Sequence, residues 1–187
     1  MSSPREPHRA KLIVGLLFRE AGVQRKTLAA LSDSFGPIDF LTEPRPFTYT
    51  DYYESEMGSS LLRQTASFAK PVQPKALADI KLVTNSLELQ WSIEHRRQVN
   101  IDPGLLSEER VVLATGKNYT HRIYLRNGVY ADLTLIYQKG SYRPLAWTYP
   151  DYREPDLLHF LGVLRQKLIF QRTSRLPSNI QVKGKTS

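Results

Sequence analysis

Asn100, Asp102, Lys117, His121, Arg122, Asp132 and Asp151 all fall between Gln98 and Tyr152, and they include most of the chain's candidate chemistry. Oxygen donors joined by one imidazole suit Mg²⁺, Mn²⁺ or Fe²⁺ better than a structural Zn²⁺. On this view Asp102, His121 and Asp151 ligate a divalent cation such as Mg²⁺ or Mn²⁺. His121 and Asp102 are then the groups placed for acid–base work. Glu88 is a further acid for the set. The spacing matches no standard metal motif: HExxH and the calcium-loop pattern are both absent. Each residue also has an ordinary duty open to it. Asp102 can close a turn, His121 can start a strand, and Asp151 can cap the last helix.

Three other groups stand beside this one. Lys117 and Arg122, next to Thr115-Gly116, carry two fixed positive charges that suit a phosphate or carboxylate. Neither the P-loop pattern nor G-x-G-x-x-G occurs. Thr84, Asn85 and Glu88 are polar residues inside a helical pattern, where they either project into a site or face water. Tyr49, Tyr52 and Tyr53 crowd one loop, and Trp147, Tyr149 and Tyr152 surround Asp151. Aromatics near Arg and Lys can stack nucleic-acid bases, and they also pack locally under long loops. Nucleophilic catalysis finds no support. There is no cysteine and no G-x-S-x-G, and the interior histidines are His95, His121 and His159.

The elements that must position these residues follow from periodicity. Lys11–Phe18 reads as a buried strand. Gln24–Phe35 is helical and is stopped by Gly36-Pro37. Ile38–Thr42 is a second strand, with Ile38 and Phe40 on one face and Asp39 on the other. Glu43–Gly58 reads as an irregular surface loop, and Leu61–Phe68 as a third strand. Pro74–Arg96 is the longest helical pattern. Val99–Ile101 is a strand ended by the turn residues Asp102-Pro103-Gly104. Glu109–Ala114 follows as another strand. Next comes a hairpin of His121–Leu125 and Val129–Tyr137 across Asn127-Gly128, which supplies the positive φ angles of a tight turn. Tyr142–Trp147 can pair with that hairpin, and Glu154–Gln171 closes the fold as a helix.

This order predicts one α+β domain with a mainly antiparallel sheet and helices on one face. Its first half is expected to be ferredoxin-like and its second half rich in hairpins. The domain is expected over residues 11–171, between a flexible leader (1–10) and a basic, disordered tail (172–187). No apolar run approaches the roughly 20 residues that span a bilayer, and the N-terminus lacks an apolar signal core, so the expectation is a cytoplasmic protein. The net charge of +8 is concentrated at the ends. Arg5, Arg9 and Lys11 against Glu6 give residues 1–11 a net +2. Arg172, Arg175, Lys183 and Lys185 give residues 171–187 a net +4, leaving +2 for residues 12–170. Basic tails either solubilise or bind phosphate backbones without sequence preference.

The strings KLIVGLLF, FGPIDF, FTYTDYYESEMG, IKLVTNSLE, VNIDPGLL, LATGKNYTHRIYL and WTYPDYR, in that order, resemble the uncharacterised bacterial family called domain of unknown function 4416. The resemblance covers roughly residues 10–170. It implies no established activity. Its motif positions fall on Tyr53, Glu56, Asn85, Glu88, Asn100, Asp102, Lys117, His121, Arg122, Trp147 and Asp151. The leading expectation is therefore a small-molecule or metal-dependent site for an anionic ligand, in an enzyme or a binding protein. Lys117, Arg122, Asn85, Glu88, Asn100, Trp147, Tyr53 and Glu56 are its ligand-binding residues. The alternative is a non-catalytic RNA- or protein-binding module that uses the aromatic loop and the basic tails.

Overall fold

The computed structural model describes residues 3–175; the last twelve residues of the expected tail lie outside them. The strands are β1 (Lys11–Phe18), β2 (Ile38–Leu41), β3 (Arg45–Pro46), β4 (Leu62–Phe68), β5 (Val99–Leu106), β6 (Arg110–Thr115), β7 (Arg122–Arg126), β8 (Val129–Gln138) and β9 (Ser141–Pro144). The helices are α1 (Ala21–Phe35), α2 (Glu54–Met57), α3 (Leu77–Gln90) and α4 (Pro155–Thr173). The fold is α+β. All strands join one antiparallel sheet in the order β2-β4-β1-β5-β6-β8-β7, with β3 added on β4 and β9 on β8.

β1 is central because its residues can be buried on both faces. Leu12, Val14, Leu16 and Phe18 face α1 and α3, packing with Leu31, Leu77 and Ile80. The alternate face belongs to α4. Ile13 packs there with Leu113, Leu135, Leu161, Leu164 and Leu168. The expectation of helices on one face therefore holds for α1 and α3, whereas α4 covers the opposite side.

Several local signals act as expected. Gly36 ends α1 with φ +92° and donates its N–H to the Ser32 carbonyl at 2.8 Å. Asn127 and Gly128, at φ +53° and +73°, turn the chain from β7 into β8. Two readings are corrected. The loop 43–58 contains β3 and the single-turn α2, whose Met57 is buried against Leu17 and Leu61. β5 does not end at Asp102-Pro103-Gly104 but runs through it to Leu106, paired with β1 from end to end.

That continuation creates the functional part of the molecule. On its other side β5 pairs with β6 only at Gly104–Leu106. Ile101 turns its N–H and C=O away from β1, and residue 103, of the same parity, faces the same way. Proline there has no N–H to offer β6. Gly104 marks the last point of close approach: a Cβ on it would lie 2.6 Å from a Leu113 methyl and 2.9 Å from the Val112 carbonyl oxygen. Beyond this point β6 leaves β5, and the sheet splits.

Candidate functional site

The split opens into a cleft of about 810 Å³. Its floor is Asn100 and Asp102 of β5, with Arg63 of β4 beside them. Lys81, Asn85 and Glu88 line one side from α3, at the spacing of one helix face. Leu113 to Lys117 line the other side. The aromatic loop, with Phe47, Tyr52 and Tyr53, and the segment Tyr149–Tyr152 complete the rim.

Unpaired backbone on β5 would be costly here, and α3 supplies the missing partners. Glu88 accepts the Ile101 N–H, and Lys81 Nζ donates to the Ile101 carbonyl at 2.9 Å. These two buried side chains replace the absent stretch of β6. Glu88 is pushed above its ordinary value by burial, against the pull of Lys81 and of the Ile101 N–H. Arg97 ties the cleft's outer end together. Its fork meets Glu56 at 2.7 and 2.6 Å, and Nη1 reaches Asn100 at 2.8 Å and Glu88 at 3.3 Å. Glu56 lies below its ordinary value because of that fork.

Arg63 is the nearly enclosed centre. It meets Asp151 at 3.1 Å and Asp102 at 3.5 Å, and its guanidinium lies over the Tyr152 ring. Burial pushes the Asp151 carboxyl up, with Arg63 opposing and Asp102 reinforcing the shift. Asp102 is the accessible member, with its side chain 28% exposed. Asn100 donates to Asp102 Oδ2 at 2.8 Å, and Lys81 Nζ lies 3.9 Å from Oδ1.

Gly15, opposite Asp102 on β1, gives Arg63 its room. An added Cβ would stand 2.5 Å from Nη2 and 2.8 Å from Cζ. The guanidinium is held by two carboxylates, so pushing it aside weakens both contacts. Gly15→Ala is expected to destabilise the fold by about 1–3 kcal/mol, the usual cost of overpacking. In contrast, nothing lies within 4 Å of a Cβ at Gly22, inside α1. Gly22→Ala is expected to stabilise by about 0.5–1 kcal/mol, and urea unfolding of the pair checks both signs.

The remaining predicted residues form a second cluster outside the cleft. His121 Nε2 lies 3.2 Å from Asp132 Oδ2, and its ring stacks on Trp147 at 5.0 Å. Neither His121 nor Trp147 lines the cleft. The expected Asp102–His121–Asp151 metal set is therefore not assembled, because His121, just before β7, meets Asp132 while Asp102 and Asp151 both turn to Arg63. Among the described residues no three His, Asp or Glu side chains gather as a metal-holding group. The expected His121–Asp102 acid–base pair separates in the same way.

Arg122 links the two clusters. Its Nε donates to Asp132 at 2.9 Å, Nη1 to the Lys117 carbonyl at 3.1 Å and Nη2 to the Tyr149 hydroxyl at 2.7 Å. It thus positions two cleft-lining residues without lining the cleft itself. Tyr53, Asn85, Glu88, Asn100, Asp102, Lys117 and Asp151 all line the cleft, and Glu56 braces it through Arg97. Arg63, Lys81 and Arg97 were missed. The signal for Arg63 was the glycine in the otherwise bulky strand KLIVGLLF, which marks a close approach. For Lys81 it was a lysine on the buried stripe Leu77, Lys81, Thr84, Glu88.

The fold and the cleft define a single-domain α+β protein with a ligand-sized opening in its sheet, lined by both apolar and charged side chains. The chain belongs to the family described as Domain of unknown function (DUF4416), whose model matches residues 8–168. No curated protein and no solved structure matches it. Among the described residues no helix is long and apolar enough to cross a membrane.

Proposed function

We propose that the protein binds a small anionic molecule in the cleft, with Asp102 as its orienting and proton-exchanging group. The observation that carries this is the Asp102 carboxylate, open to the cleft where β5 and β6 part and surrounded by buried charges that hold it in place. Functional sites gather ionisable groups with shifted protonation in a concave pocket, and here Asp151 and Glu88 are both shifted upward by burial. Lys117 at the rim supplies the anion's counter-charge. The site is built on a first half that we read as ferredoxin-like, on the strength of its βαββαβ order.

Asp102→Asn keeps the shape and the Asn100 contact but removes the charge. In a thermal-shift screen of small anions, a ligand at 100 times its dissociation constant stabilises the native protein by about 2.7 kcal/mol. The expected result is that Asp102→Asn folds and loses that shift. Turnover of the bound compound, abolished in the same variant, marks an enzyme. An undiminished shift in the variant defeats the proposal. Salt-sensitive RNA binding indifferent to Asp102→Asn transfers the assignment to the binding-module alternative.

A further inference from the structure

Resting on that reading of the cleft, we infer that its ligand is a phosphorylated sugar, with hydroxyls held at Asp102 and Asn85 and the phosphate at Lys117. The inner end of the cleft offers a hydrogen-bond acceptor. Asp102 already has Arg63 at 3.5 Å and Lys81 at 3.9 Å. Both cations also hold other groups, Arg63 the Asp151 carboxylate at 3.1 Å and Lys81 the Ile101 carbonyl at 2.9 Å, which fixes them around Asp102. Its Oδ1 makes no hydrogen bond among the described residues, and its lone pairs suit the O–H of a hydroxyl. Asn85, half-buried on α3 above the same floor, adds a side-chain amide that donates and accepts.

The outer end selects an anion. Lys117 has no carboxylate within 4.0 Å among the described residues; its ammonium rests on the Tyr52 hydroxyl at 2.7 Å and over the Tyr52 ring. The backbone of Lys117 is anchored by Thr115 Oγ1 at its N–H and by Arg122 at its carbonyl. The ammonium is therefore presented from a held loop. Lysine binds phosphate as a compact point charge. Tyr53 and Tyr149 line the same cleft, each with an apolar ring face and a polar edge. A sugar ring has the same division, with C–H faces and hydroxyl edges.

The test is calorimetric titration of the full chain with pentose and hexose phosphates, the parent sugars, inorganic phosphate, nucleoside monophosphates, dicarboxylates and aromatic carboxylates. The expected result is that a sugar phosphate binds at least tenfold tighter than its parent sugar and than inorganic phosphate. Lys117→Ala then removes that advantage, and binding strengthens as pH rises through about 6, where the phosphate loses its second proton. Binding of a nucleoside monophosphate with the same dependence also supports the inference, and it identifies the sugar phosphate as part of a nucleotide. Equal binding of sugar and sugar phosphate, or indifference to Lys117→Ala, overturns it. If only non-sugar anions bind, and bind through Asp102, the sugar assignment falls and the anion site stands. If no compound binds, both fall.

Discussion

Replacing Arg63 with alanine is expected to lower stability by about 3–5 kcal/mol, the cost of removing one partner from a buried charge cluster. At this chain length that corresponds to a fall in Tm of roughly 6–20 °C. The guanidinium is nearly enclosed, with its side chain 12% exposed, and it stands between Asp151 and Asp102. Without it two carboxylates face each other beside the Tyr152 ring. Burial already holds the Asp151 carboxyl above its ordinary value of 3.8, and Arg63 is what opposes that rise. In the variant the folded-state value climbs further. A group raised on folding contributes stability that is complete below its unfolded value and is lost as pH rises through its folded one. The penalty of Arg63→Ala is therefore smallest near pH 3.8 and grows toward neutrality. Adding Asp151→Asn to Arg63→Ala should recover much of the loss at pH 7 and leave little pH dependence. Urea unfolding at four pH values decides it, and a penalty that is flat with pH and unrelieved by the second change defeats the account.

The split that exposes Asp102 was not legible, although every residue that makes it was. Asp102-Pro103-Gly104 carries turn chemistry, and local propensity reads it as a strand end. Pairing with β1 across eight consecutive residues outweighs that propensity, and the proline's missing donor is spent on the side where β6 departs. The second cluster shows the same limit. A regular two-residue turn at Asn127-Gly128 would put Arg122 opposite Leu133. The irregularity between Tyr124 and Arg126 shifts the register, so that Arg122 meets Asp132 and His121 is drawn to the same carboxylate. One unpaired residue thus decided that His121 belongs with Asp132 rather than with Asp102. Signals that act within a few residues, such as Gly36, Asn127-Gly128 and the helical stripe of α3, were readable because no distant partner competes with them. The grouping of Lys117, Asn100, Asp102 and Asp151 was readable for a different reason. Each lies at or beside the place where a strand or helix ends or changes partner, and such places converge on one cleft.

Asp39→Ala is expected to cost as much as the loss of Arg63, through a cluster that has no part in the cleft. Lys11 is fully buried between the sheet and α4, with its ammonium 2.6 Å from Asp39 and 2.8 Å from the Phe68 carbonyl. Asp39 also takes the Ser67 hydroxyl and Lys167 at 2.8 Å. It reaches this position because an irregularity between Ile38 and Phe40 breaks the alternation of β2. Ile38 then packs toward α1 and α3, while Asp39 and Phe40 both turn to α4. Burial alone would raise the Asp39 carboxyl, but hydrogen bonds from Lys11, Lys167 and Ser67 outweigh it and hold the group below its ordinary value. Removing Asp39 leaves the Lys11 charge enclosed with one carbonyl, and a loss of about 3–5 kcal/mol follows. Lys167 is partly exposed and can be hydrated. Burial already lowers Lys11 below 10.5, with Asp39 opposing, and without Asp39 it falls further. The folded variant then binds fewer protons than the unfolded chain between that lowered value and 10.5, so its stability rises with pH across this window. The gap between the native protein and Asp39→Ala should narrow from pH 7 to pH 10, the opposite sense to Arg63→Ala. Lys11→Met combined with Asp39→Ala should restore most of the stability at pH 7, because an apolar chain of similar length needs no partner. Guanidinium unfolding at pH 7, 8.5 and 10 separates the possibilities: a gap that widens with pH, or a double variant as unstable as the single one, would mean that the enclosed ammonium is not the source of the loss.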